Sequence, residues 1–235
     1  MIRAAITTTK QQPSIQSDRK RTNFFRDIEQ PVLHFLCSIM PAWITPDILT
    51  VIGFAGSCIA AIGFAAAAYN PLFLLMAISG FAIQWFGDSL DGRIAYYRNQ
   101  PRKWYGFSLD LCTDWISTIL IGLGFYYYLP ADFKVLSFTF VTVYGWAMLL
   151  AVIKFKLSGN YTIDNGLLGP TEFRLAICGV LAMEIIFPGT FFVFASIVNV
   201  ILVAVCLVDF YKLLQLGNEK DREEREAKSQ LNKAA

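Results

Sequence analysis

Four aspartates stand close together in an otherwise apolar stretch. Asp88 and Asp91 lie in Asp88-Ser89-Leu90-Asp91-Gly92-Arg93-Ile94-Ala95, and Asp110 and Asp114 in Gly106-Phe107-Ser108-Leu109-Asp110-Leu111-Cys112-Thr113-Asp114. On a helix, residues three or four apart share a face, so each pair points one way. The polar, basic segment from Arg98 to Lys103 separates the pairs. Two helices joined by a turn would aim the carboxylates at each other. Facing carboxylates form a nest for hard divalent cations such as Mg²⁺, which take oxygen ligands.

A lone aspartate near a helix end is ordinarily a cap or a solvated residue. Four in hydrophobic helices need another account. Each costs about 2.5–3.5 kcal/mol at the bilayer centre, so a bare set would cost on the order of 10 kcal/mol. A wet pocket with bound cations removes that cost, and acids within the membrane are functional candidates by default.

The string resembles the signature of the CDP-alcohol phosphotransferase family of integral-membrane enzymes. That pattern falls here on Asp88, Asp91, Gly92, Ala95, Gly106, Asp110 and Asp114. One position departs from it: Tyr96 stands where the family has Arg after Ala95, and Arg98 lies two residues further on. The resemblance implies transfer from a CDP-linked substrate to an alcohol with release of CMP, and the compact six-span size favours the branch in which CDP-diacylglycerol donates a phosphatidyl group to a small polar alcohol. The resemblance also implies two Mg²⁺ or Mn²⁺ ions per site, held by Asp88, Asp91, Asp110 and Asp114, with Asp114 also the general base. The nucleotide would lie against Asp88, Gly92, Ala95, Tyr96, Arg98 and Gly106, and the enzyme would be a homodimer. Three other readings stay open: CDP-choline or CDP-ethanolamine transfer to diacylglycerol, a non-catalytic relative, and a divalent-cation transporter.

Positioning these residues falls to a membrane bundle. Of the 235 residues, 55% are hydrophobic and 16% charged, too apolar for an ordinary soluble domain. The expected fold is all-α and polytopic: six transmembrane helices preceded by an interfacial amphipathic helix. Apolar stretches of about 20 residues cross the hydrocarbon. They are expected near 46–69, 72–96, 106–129, 134–154, 169–187 and 190–212, within a membrane catalytic domain at 44–215. Thr45-Pro46-Asp47 is a helix start with Pro just inside. Before it, 22–43 reads as the amphipathic helix: Phe24, Phe25, Ile28, Leu33, Phe35, Leu36 and Ile39 face Arg26, Asp27, Glu29 and Gln30, and Trp43 is an interfacial anchor. Residues 1–21 read as a disordered tail and 216–235 as a charged tail that forms a frayed, solvated helix.

Charge placement orients the spans. Arg19, Lys20, Arg21, Arg26, Arg93, Arg98, Arg102, Lys103, Lys154, Lys156 and the tail fall on one side, and Lys134 on the other. Positive-inside bias puts both termini and the signature loop in the cytoplasm. Helix rise places Asp88 about 24 Å along from Leu72, and Asp110 and Asp114 about 6 and 12 Å inward from Gly106. Both pairs then sit at similar depth below the cytoplasmic surface, within reach of a nucleotide and a lipid tail.

Lys154, Lys156 and Arg174 bracket that mouth and would suit a phosphorylated polyol as acceptor, with snorkelling to the interface as the plain alternative. The five cysteines, Cys37, Cys58, Cys112, Cys178 and Cys206, show no pairing pattern and read as small hydrophobes. The single histidine, His34, is taken as interfacial. Membrane lipids and a CDP-linked substrate are the expected partners, and nucleic acid is not expected.

Overall fold

The computed structural model describes residues 26–158 and 170–234, and every regular element among them is helical. The tail at 1–21, Phe24 and Phe25, and most of the polar loop before Pro170 lie outside these residues. Seven α-helices follow in order: α1 Arg26–Ile39, α2 Pro46–Ala67, α3 Leu74–Tyr97, α4 Lys103–Tyr128, α5 Lys134–Ser158, α6 Pro170–Ile186 and α7 Thr190–Ala234. Short 3₁₀ turns at Pro71–Phe73 and Ala131–Phe133 lead into α3 and α5.

Among the described residues five helical stretches are long and apolar enough to cross a membrane: Pro46–Ala67, Pro71–Tyr97, Lys103–Tyr128, Ala131–Ser158 and Thr190–Asn232. The chain is therefore an integral membrane protein. The sixth expected span, α6, has 17 residues. At helical rise that is about 25 Å, just short of the hydrocarbon thickness. Exposed aromatics band both ends of the bundle, as they do at membrane interfaces. Trp43, Trp104 and Tyr105 mark one end, and Tyr69, Tyr127 and Phe187 the other.

Local chemistry accounts for the helix limits. The Thr45 hydroxyl accepts from the Ile48 amide at 3.2 Å, with Pro46 at the first helical position and Asp47 in the first turn. Asn70 caps the turn before α3 by accepting from the Leu72 amide at 3.0 Å. α4 begins at Lys103, earlier than the expected 106, so Gly106 lies within its first turn. α7 does not stop at the membrane edge but continues through the charged tail. There Lys220 donates to the Leu157 carbonyl near the end of α5 at 3.0 Å.

Packing centres on α2, which lies against α3 and α4. Lipid tails are as apolar as leucine, so helices in a membrane associate through close packing and favour small residues. Gly53, Gly56, Ala60 and Gly63 of α2 meet Ala77, Gly80 and Gly87 of α3 backbone to backbone. A Cβ on Gly56 would lie 2.7 Å from the Gly80 carbonyl oxygen, and one on Gly87 2.6 Å from the Gly53 Cα. No side chain fits at either crossing. At the far end, Phe64 gathers Phe81, Phe125, Tyr128 and Phe191 around itself at ring separations of 5.6–6.3 Å.

α1 is more than an interfacial float. Its Leu33 and Cys37 are buried against Leu49, Leu90 and Ile94, while Phe35 and Ile39 remain exposed. His34 packs edge-on against Tyr97 at 5.7 Å. Gln30 accepts from Arg93 at 2.8 Å.

Candidate active site

α3 and α4 bring the two aspartate pairs together at one end of the bundle. Asp88, Asp110 and Asp114 each offer a carboxylate oxygen, and the three lie within 4.8 Å of one another. All three are half-buried. Three convergent hard oxygens at this spacing fit a divalent cation. They line a cleft together with Asp91.

The fourth aspartate is held from α2. The Thr50 hydroxyl donates to Asp91 Oδ2 at 2.8 Å. Thr50, Gly53 and Ser57 form the α2 wall of the cleft, and Gln84, Thr113 and Ser117 complete its polar lining. The spacing of the aspartates alone does not reveal these residues. The available signal was polar side chains at helical offsets: Gln84 is four before Asp88, Ser117 three after Asp114, and Thr50 and Ser57 share a face of α2.

A guanidinium reaches Asp88 from α6. Arg174 of α6 donates through Nη2 to Asp88 Oδ2 at 2.5 Å, with both side chains largely shielded, 17% and 26% exposed. In the turn before it, Thr171 donates to Glu29 Oε1 at 3.0 Å. The same oxygen accepts from Trp85 Nε1 of α3 at 3.2 Å. Glu29 thus fastens α1 to both α3 and α6, one turn from the aspartate site.

The remaining sequence candidates divide by position. Gly92 and Gly106 are exposed, and a Cβ on either would meet nothing within 4 Å. Packing therefore gives no reason for glycine at these two positions. Ala95 and Tyr96 are half-buried and lie outside the cleft lining. Arg98 turns to the α1–α2 connection, where it donates to the carbonyls of Met40, Pro41 and Ile44 at 3.2, 2.8 and 2.6 Å. Beside it Arg102 pairs with Asp47. These two arginines pin the signature turn onto the start of α2. Lys154 is half-buried and Lys156 exposed near the end of α5, and neither lines the cleft. Of the basic trio, Arg174 is bonded to a cleft aspartate.

At the other end, buried Glu184 accepts from Tyr128 Oη at 2.7 Å and from the amides of Gly189 and Phe191 at 3.0 and 2.7 Å. It serves as a cap for the start of α7. All five cysteines are free thiols, and Cys112 is exposed.

No family model matches the chain, and no curated protein does. Solved structures do match. Phosphatidylinositol phosphate synthase of Mycobacterium tuberculosis with CDP-DAG bound superposes with a TM-score of 0.59 at 19% identity, covering 80% of this chain and 94% of that one. Its apo form gives 0.59 at 18%, covering 78% and 95%. Its complex with manganese and citrate gives 0.56 at 20%, covering 78% and 88%. The chain shares the fold of that synthase over about 80% of its residues.

Proposed function

We propose that this chain is a CDP-alcohol phosphotransferase that moves a phosphatidyl group from CDP-diacylglycerol to a small polar alcohol and releases CMP. The observation that carries this reading is the convergence of Asp88, Asp110 and Asp114 within 4.8 Å. The signature spacing from Asp88 to Asp114 and the shared fold with a synthase solved with CDP-DAG and with manganese support it.

Asp88, Asp91, Asp110 and Asp114 would hold two Mg²⁺ or Mn²⁺ ions. When bound, such ions offset the charge of a diphosphate and stabilise the charge building on the leaving phosphate. The chain's own residues do the rest. Asp114 accepts the proton of the acceptor hydroxyl as its oxygen bonds to the phosphorus of the phosphatidyl group. The phosphoanhydride bond breaks, and CMP leaves with the bonding electrons. The open space over Gly92 and Gly106 lets the nucleotide approach the α3 and α4 backbones. Ala95 and Tyr96 border that approach. Arg98 acts there by holding the turn in place. Arg174, with Lys154 and Lys156, would favour an acceptor that carries a phosphate.

Basic residues gather at the aspartate end of the bundle, so that end and both termini lie in the cytoplasm. The homodimer that the resemblance implies is part of the same reading. A cation transporter is disfavoured because Glu184, an acid on the far side, is committed to three donors. The test is a panel of acceptors. Purified protein receives CDP-diacylglycerol, Mn²⁺ and one alcohol at a time, and the lipid product is identified by mass. One alcohol giving a stoichiometric phosphodiester and CMP supports the reading. A product only from CDP-choline or CDP-ethanolamine with diacylglycerol would move the chain to the other branch. No product from either set would leave the non-catalytic relative, with Tyr96 as its mark.

A further inference from the structure

Arg174 holds an unusual place for an acceptor-binding residue. Its guanidinium does not face outward to await an anion. It lies 2.5 Å from Asp88, one of the three carboxylates that converge on the cation position. We infer that Arg174 is the resident counter-charge of the aspartate site, and that its release from Asp88 on cation loading couples metal binding to anion capture. This rests on the metal-binding part of the proposed function.

Charge and reach make the argument. The cleft gathers four carboxylates in a half-buried setting, and Arg174 supplies a positive charge to that cluster from α6. A divalent cation among Asp88, Asp110 and Asp114 would share Asp88 with the guanidinium. Two like charges on one carboxylate repel, strongly so where little water screens them. Asp88 therefore exchanges one partner for the other. Freed, the guanidinium keeps its charge and its flat fork of donors, which matches phosphate geometry. Its side chain is 17% exposed and so keeps some access to solvent. Thr171, three residues earlier, remains tied to Glu29 and keeps α6 in place while the arginine swings. An anion that engages Arg174 must then favour metal binding, and metal must favour the anion, by the same factor.

The experiment measures Mn²⁺ binding to the purified full chain in detergent, without nucleotide or lipid substrate, from the electron-spin resonance signal of free Mn²⁺. Sulfate, replacing chloride at constant ionic strength, is the anion probe. Arg174→Gln is expected to bind Mn²⁺ about tenfold more tightly than the native chain, because the competing cation is gone. Sulfate is expected to tighten Mn²⁺ binding several-fold in the native chain and to leave Arg174→Gln unmoved. Equal or weaker Mn²⁺ binding by Arg174→Gln would show that the arginine merely orients Asp88, and would overturn the inference. So would the absence of a sulfate effect on the native chain, a result that does not depend on the variant folding. A native chain that binds no Mn²⁺, or an Asp110→Asn chain that binds it equally well, would instead remove the metal site itself.

Discussion

Gly87→Ala adds one methyl group next to Asp88, and its consequences can be worked from the α2–α3 crossing. The new Cβ would lie 2.6 Å from the Gly53 Cα and closer still to the Gly53 nitrogen and the Leu49 carbonyl oxygen. These are backbone atoms, so no rotamer relieves the clash. Carbon atoms reach optimal contact at about 3.5–4.0 Å, so the helices must part by roughly 1 Å. The Thr50–Asp91 hydrogen bond, now 2.8 Å, would then stretch past the range of an O–H···O bond. Overpacking costs about 1–3 kcal/mol, and the lost bond to a charged acceptor up to about 3 kcal/mol more. The same movement shifts Asp88 against Asp110 and Asp114, where metal ligands tolerate only about 0.2 Å. Mn²⁺ affinity should fall by at least about tenfold, the lower bound for disturbing a site's supporting shell. The assays are thermal unfolding in detergent and Mn²⁺ titration. A Gly87→Ala chain with native unfolding temperature and native Mn²⁺ affinity would refute the reasoning, since α2 would then not be setting the aspartate geometry.

Other substitutions separate packing from ligand contact. Gly92→Ala meets no atom, so unfolding should show a chain as stable as the native one, or stabilised by up to about 1 kcal/mol through helix propensity. Its kcat/KM for the CDP-lipid should nevertheless drop, because the methyl group fills the nucleotide's approach. Glu184→Ala strands three donors at the far end and should cost about 3 kcal/mol or more, while Mn²⁺ affinity stays native. Glu29→Ala releases Trp85 and Thr171 together, and hydrogen exchange should speed up across Arg26–Ile39.

The convergence of the aspartates was legible from spacing because helical periodicity is a local property. Asp88 and Asp91, and Asp110 and Asp114, needed only the three- and four-residue rule to share a face, and the intervening turn to face each other. The Thr45 cap was legible for the same reason. Tertiary contacts were not. Nothing in the local pattern shows that Thr50 crosses to Asp91, or that Gly56 and Gly87 sit where two backbones touch. Arg98 illustrates the limit well. As a charge near the missing family arginine it invited a nucleotide role, yet the folded chain spends it on the carbonyls of Met40, Pro41 and Ile44. Glu29 shows the converse, since its place on the polar side of an amphipathic helix suggested solvent. The helical charged tail was legible for a simple reason. Loss of apolarity marks the edge of the bilayer, and a helix rich in Glu, Lys and Arg continues beyond it.

The central claim is that the converging carboxylates form a metal-dependent phosphotransfer site. Its most direct measurement is CMP release from CDP-diacylglycerol by the purified chain in lipid vesicles. It would be made with the productive alcohol, with Mn²⁺ or with chelator, for the native chain and for Asp88→Asn, Asp110→Asn and Asp114→Asn. The account predicts release that stops with chelator, returns with Mn²⁺, and falls by at least about a hundredfold in each variant while all three remain folded. Release that persists in chelator, or survives in Asp110→Asn, would contradict it.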